Sequence, residues 1–397
     1  MVRRMSIPRR PCRLILNRRH GVPGVAVLPE VSYQRARLEI AGWAGYRPTP
    51  LLPLPEVAAA ARIASLHYKN EASRFGLGSF KALGGAYAVL RLLQAEFARR
   101  GVAAQASAAE LAAGTHREAA RAITVTCATD GNHGRSVAWG AERFGARCVI
   151  FVHPGVSQGR RDAIARYGAE IREAPGNYDD AVRAAQEAAT REGWFVVSDT
   201  AYPGYTEVPR DVMQGYRLMA EEAFACFATP PTHVFIQGGV GGVAAAVSVQ
   251  ARARWPQATP KLVVVEPERA ACLLASLEAG RMMTVGGDLD TLMAGLACGE
   301  PSLLAWQELE RAAFAAMAVP DAAAIDCMRL LARRSPSIEA GESAVAGLAG
   351  LLLAAAEPFG RAVLELDADS RVLVFGTEGA TDPALYARLI AAGPSSA

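Results

Sequence analysis

Apolar residues gather in short β-rich runs at Ile123–Cys127, Arg147–Val152, Trp194–Val197, His233–Gln237, Leu262–Val265 and Arg371–Phe375. Between them lie long Ala/Leu/Arg stretches of helical period: Gly84–Arg100, Gly134–Phe144, Tyr178–Arg191, Val212–Phe227 and Val243–Arg254. Short apolar runs predict strands, and apolar positions returning every three or four residues predict helices. Their alternation predicts a parallel sheet with helices on both faces, an α/β fold. Gly101–Arg121, polar and alanine-rich, reads as a loop or insertion. Tyr46–Pro55 reads as an extended entry segment, since each proline pushes its predecessor out of the α region.

A chain of 397 residues is long enough for about two domains. With 51% hydrophobic and 20% charged residues it is globular. The net charge of +3 is misleading, because seven arginines fall in the first 19 residues and the first acid is Glu30. The rest of the chain is net negative, without the basic surplus that nucleic acid requires. Residues 1–25 read as a disordered Arg-rich tail; their longest apolar stretch, Leu14–Leu16, is too short for a secretion signal. The longest apolar run, Ala344–Ala356, is too short to span a bilayer. Seven cysteines without C-x-x-C, and no H-E-x-x-H, point to reduced thiols in a cytoplasm and to no metal.

Only three of the 42 basic residues are lysines: Lys69, Lys81 and Lys261. Where arginine supplies nearly every positive charge, a remaining lysine is a candidate for a position that needs an amine, because guanidinium does not deprotonate. Lys81 stands out. Gly76 and Gly78 make a turn, Ser79 is a candidate N-cap, and Lys81 then falls in the first turn of a helix. The positive end of that helix disfavours an ammonium, and an amine near neutrality forms a Schiff base with an aldehyde.

Three further segments follow strands. Cys127–Gly134 places hydroxyl, carboxylate, amide and imidazole groups at a strand's C-terminal edge, where α/β proteins bind ligands. Gly238–Gly242, between a strand and a helix, is a cradle for an anion such as phosphate. It is not the usual dinucleotide fingerprint, although Glu266, about 25 residues on and after a strand, keeps a nucleotide reading open. Val372–Pro383 and Ser198–Tyr202 are strand-end loops with acids. A lysine at a helix start and a phosphate cradle together suit pyridoxal phosphate, whose ring nitrogen would meet a strand-end residue.

Ser79-Phe80-Lys81 with Gly84-Gly85, Asp130-Gly131-Asn132-His133-Gly134 and the Gly238–Gly242 loop resemble the fold type II pyridoxal-phosphate enzymes related to serine/threonine dehydratases. The resemblance covers about residues 40–385 and is closest to the diaminopropionate ammonia-lyases. It includes Tyr46–Leu51, Arg74–Leu77, Asn177–Asp180, Met213–Tyr216, Met293–Pro301, Gly341–Ser343 and Thr377–Gly379. Asp130 discriminates most, because ordinary dehydratases usually have serine there. Asn70, where an acid is expected, and Tyr202, where tryptophan is expected, depart from the pattern.

The resemblance implies a tryptophan-synthase-β-like fold: a large parallel-sheet domain (26–84 and 198–397), a smaller inserted α/β domain (85–197), and the cofactor in the cleft between them. It implies β-elimination of D- and L-2,3-diaminopropionate to pyruvate and ammonia. Lys81 would hold the cofactor and remove the α-proton of the L isomer, and Asp130 would remove it from the opposite face for the D isomer. Asn132 would bond the ring hydroxyl. Gly238, Gly239, Val240, Gly241 and Gly242 would bond the phosphate, and Thr377 the ring nitrogen. Asp199 is the candidate for the substrate's distal ammonium. The expected protein is a cytoplasmic homodimer acting on a small amino acid, with no nucleic acid or membrane partner. A disulfide between Cys272 and Cys298 stays open, as does a serine/threonine dehydratase or another eliminase of this fold.

Overall fold

The computed structural model describes residues 10–129 and 131–391. Eleven strands follow in chain order: β1 (Arg13–Leu16), β2 (Leu51–Pro53), β3 (Ser65–Asn70), β4 (Thr124–Ala128), β5 (Arg147–Val152), β6 (Glu170–Glu173), β7 (Phe195–Val196), β8 (His233–Gln237), β9 (Lys261–Pro267), β10 (Ala313–Val319) and β11 (Arg371–Gly376). They form two sheets, one in each of two compact units.

The first unit comprises Met1–Val27, Pro48–Ser73 and Met219–Ala397. Its seven strands run in the order β1-β10-β9-β8-β11-β3-β2. The five inner strands are parallel, and β1 and β2 pair antiparallel on the two edges. A parallel sheet needs cover on both faces, which is why β8 and β9 are almost wholly buried and read as continuous apolar runs. The helix Ala346–Ala356, apolar all round, packs into that core with Val263, Val265, Met317 and Val374. Among the described residues no single helix is long and apolar enough to cross a membrane, and the chain bends by 113° between Ala346–Ala356 and its neighbour Pro358–Leu364.

The second unit comprises Leu28–Arg47 and Arg74–Leu218. Its four strands, β6-β5-β4-β7, are all parallel. The helices Lys81–Arg99 and Asn132–Phe144 pack against each other beside them. Gly84 and Gly85 are what let neighbours come so close. A Cβ on Gly85 would lie 2.4 Å from Ser136 Oγ, and one on Gly84 2.7 Å from the carbonyl of Val212 on the helix Glu207–Phe224.

Several expectations need correcting. The disordered tail does not hold for its described part, because β1 pairs with β10 and Arg10 bonds Asp326; residues 1–9 lie outside the described residues. Gly101–Arg121 is not a plain loop: Ser107 caps a helix over Ala108–Ala113 with a reciprocal bond from Glu110, and a second short helix covers Arg117–Arg121. The unit boundaries also differ from those expected. The helix Glu30–Ala41 belongs with the smaller sheet, because the buried Arg217 bonds Glu30 and the Leu28 carbonyl and stacks over Tyr33, while Trp43 packs on Trp139 and Phe144.

Candidate functional site

Lys81 opens the helix Lys81–Arg99. Ser79 accepts from the Lys81 amide at 3.3 Å, although Phe80 is the residue that immediately precedes the helix. At the other end of the peptide unit, Ser136 Oγ donates to the Lys81 carbonyl at 2.6 Å. The backbone of Lys81 is thus held from both sides. Its Nζ donates to Asp199 Oδ2 and lies 5.5 Å from the Phe80 ring centre and 5.7 Å from that of Tyr216. Burial by itself raises the Asp199 carboxyl. The Lys81 ammonium, then His133, outweigh it and hold the group well below the usual carboxylate range.

The loop that presents Asp199 is built by Tyr205. Its hydroxyl donates to the Val196 carbonyl at 2.9 Å and accepts from the Ser198 amide at 3.0 Å. Tyr202, the departure near Asp199, stacks on Tyr205 with ring centres 5.0 Å apart and is exposed. Asn70 accepts from the Ala72 amide through its own side chain and so works as a local turn residue.

The Cys127–Gly134 segment makes the turn into the helix Asn132–Phe144. Thr129 Oγ1 accepts from the amides of Gly131 and Gly134, both at 3.0 Å. That takes one helix-start amide out of consideration as a ligand donor. Asn132 Oδ1 accepts from Arg135 at 2.7 Å, which makes its NH2 the donor end of the group. His133 is buried; its Nε2 bonds the Val197 carbonyl at 2.7 Å and its Nδ1 lies 3.8 Å from Asp199 Oδ2. Asp130, the expected second base, lies outside the described residues.

In the other unit, Gly238–Gly242 links β8 to the helix Gly242–Arg254. The Gly238 amide bonds the Val265 carbonyl and the Gly241 amide bonds the Gly238 carbonyl. Gly241 is left-handed (φ 92°), precedes the helix without a side-chain cap, and an added Cβ would stand 2.9 Å from Ala305 Cβ. The amides that open a helix have no acceptor one turn back, so this uncapped, side-chain-free start fits a phosphate. Thr377, buried at the end of β11, accepts from Gln237 Nε2 at 3.2 Å, so its own hydroxyl hydrogen can go to an acceptor such as a pyridine nitrogen. The residues present therefore suit pyridoxal phosphate.

Three of the quoted motifs meet around this part of the unit. Gly295 donates its amide to Ser343 Oγ at 3.0 Å, while Ser343 and Gly341 donate theirs to the side chain and carbonyl of Glu378. Glu266 answers the nucleotide reading. It is fully buried in β9, and its carboxyl accepts from the Leu273 and Leu274 amides at 2.9 and 2.8 Å, opening the helix Cys272–Ala279. Burial pushes it up to about 7. It is a helix cap and leaves no oxygen for a ribose. Cys272 and Cys298 are free thiols; Cys272 Sγ donates weakly to the Gly239 carbonyl at 3.6 Å.

The other two lysines lie elsewhere. Lys69 is not available as a reactive amine: it is 1% exposed and donates to Glu222 and the Thr49 carbonyl at 2.7 and 2.8 Å. Lys261 pairs with Glu365 at the surface. Sequence reasoning missed Ser136 and Tyr205, whose tasks depend on distant backbone atoms, and left His133 without a role.

Residues 43–374 match the family described as pyridoxal-phosphate dependent enzyme. The diaminopropionate ammonia-lyase of Escherichia coli K12 is 39% identical over 358 residues, covering 87% of this chain and 88% of that protein. The holo crystal structure of diaminopropionate ammonia lyase from Escherichia coli superposes with a TM-score of 0.89 at 35% identity, covering 97% of this chain and 98% of that one. The same lyase in complex with an aminoacrylate-PLP azomethine reaction intermediate gives a TM-score of 0.84 at 35% identity, over 96% and 97% of the two chains.

Proposed function

The chain belongs to the pyridoxal-phosphate-dependent enzymes, and within them to the diaminopropionate ammonia-lyases; from this premise we propose how its own residues divide the reaction. The protein is a lyase that eliminates ammonia from D- and L-2,3-diaminopropionate, yielding pyruvate and ammonia. Pyridoxal phosphate, when bound, supplies an aldehyde for a lysine amine and a ring that spreads negative charge from Cα.

Lys81 is the residue that holds that aldehyde, and its Nζ takes the Cα proton of the L isomer. Asp130 takes the Cα proton from the opposite face in the D isomer. Asn132 donates to the ring hydroxyl, the Gly238–Gly242 backbone, Val240 included, holds the phosphate, and Thr377 donates to the ring nitrogen. Asp199 binds the distal ammonium of the substrate. The observation that carries this last role is its bond to Lys81 Nζ. Once the lysine amine is engaged elsewhere, a carboxylate built to face a cation is left without one, and a substrate ammonium restores the pair.

Steady-state pyruvate release from D- and L-diaminopropionate, set against D- and L-serine and L-threonine, tests the reading. A wide preference for serine or threonine would overturn it in favour of a dehydratase. The protein is a homodimer of the cytoplasm in this reading. Two observations support it: α-helical Val31 and Leu38, seven residues apart on Glu30–Ala41, are both exposed, and all seven cysteines are free thiols. Light scattering of the purified protein checks the dimer.

A further inference from the structure

We propose that His133, acting through Asp199, is the proton store that returns Lys81 to its neutral amine during turnover. The inference rests on the assignment of Lys81 as the base for the L isomer.

The geometry is specific. His133 Nε2 is fixed as the donor by the Val197 carbonyl 2.7 Å away, so in the neutral ring Nδ1 carries the lone pair. Nδ1 is buried, has no hydrogen-bond partner among the described residues, and lies 3.8 Å from the Asp199 oxygen that bonds Lys81. A buried acceptor left without a donor costs stability unless some state of the protein gives it one. A proton on Nδ1 would do so, turning an idle contact into a charged hydrogen bond with Asp199. Burial, with the nearby Lys81 ammonium, pushes the imidazole below its ordinary value against the opposing pull of Asp199, so the ring rests neutral with its Nδ1 lone pair unprotonated. The titratable groups around this pair are Lys81 and Asp199, with Cys127 from β4, Tyr205 from the Asp199 loop and Tyr216 from the helix Glu207–Phe224.

The proton count closes. Abstraction breaks the substrate Cα–H bond and forms an N–H bond on Lys81. Before Lys81 can act again as a nucleophile that N–H bond must break. The proton passes to Asp199 Oδ2 and on to His133 Nδ1, where a new N–H bond forms; transfer to water then restores the neutral imidazole. No oxidant, reductant or other reactant is needed. Asp199 alone is a poor store, because its carboxyl is held strongly acidic.

Two measurements test this. In 15N-labelled protein without cofactor, NMR titration of His133 should find the Nε2–H tautomer. Its pKa should drop by about one unit in Asp199→Asn, as expected for loss of an adjacent carboxylate; an unmoved pKa overturns the proposal. In the loaded enzyme, His133→Asn keeps a donor for Val197 but has no titratable nitrogen. It should lower kcat for the L isomer at least about tenfold, leave KM within about twofold, and move the acidic limb of the kcat–pH profile. An unchanged profile sinks the proposal while wild-type turnover of diaminopropionate stands. Absence of that turnover in the wild type sinks the reaction itself. If His133→Asn does not fold, the NMR titration decides alone.

Discussion

Ser136 Oγ donates to the carbonyl of Lys81 at 2.6 Å, so the helix that begins at Asn132 fixes the first residue of the helix that begins at Lys81. The same hydroxyl accepts from the Ala86 amide and fills the space beside Gly85. Ser136→Ala should lower the unfolding free energy by about 1–2 kcal/mol, read by chemical denaturation. Gly85→Ala should be worse, since its Cβ would meet that hydroxyl oxygen at 2.4 Å. Because Ser136→Ala removes the clashing atom, the double variant should be more stable than the two single losses added together; strict additivity would contradict the packing described.

Lys81→Ala should abolish turnover and the visible absorbance that the bound cofactor owes to its lysine attachment. Lys81→Arg should fail equally, although it keeps the charge facing Asp199, because a guanidinium does not supply a neutral amine. Measurable turnover in the arginine variant would remove Lys81 from its proposed role.

Much of this was legible in the sequence because the signals were local. β5 and β8 begin and end where their apolar runs do, and the Lys81 and Gly242 helices start within a few residues of their glycine-rich turns. What was illegible depended on partners far along the chain. β1 is short and arginine-flanked, and only its pairing with β10 makes it a strand. Lys69 was as much a candidate amine as Lys81 by lysine scarcity, yet its partner Glu222, set by tertiary contact, buries it. Glu266 had the spacing of a ribose ligand, and only the amides of Leu273 and Leu274 reveal it as a cap.

Asp130→Asn should separate the isomers. With two bases on opposite faces, turnover of the D isomer should fall at least about a hundredfold, and that of the L isomer by less than about tenfold. Equal losses would contradict the division of labour between Lys81 and Asp130.

Glu266 predicts a pH dependence of stability. Its folded value, raised by burial to about 7, exceeds its ordinary value of 4.5. The favourable contribution is therefore fully present below pH 4.5 and is lost as pH rises through about 7. At about 1.4 kcal/mol per unit, the loss is of the order of a few kcal/mol. Unfolding free energies of wild type and Glu266→Gln, measured from pH 4.5 to 8, should diverge across that window, with the wild type losing more. Parallel curves would show that Glu266 titrates alike in both states.

The buried bond of Lys69 to Glu222 gives the chain an unusual chemical selectivity. A water-borne acylating reagent finds one lysine walled in and only Lys81 and Lys261, 21% and 30% exposed, within reach. Protection of a single peptide from that reagent then reports occupancy of Lys81, with Lys261 as the internal standard in the same mass spectrum. A protein richer in lysine would need a substitution at every other site to give so clean a readout.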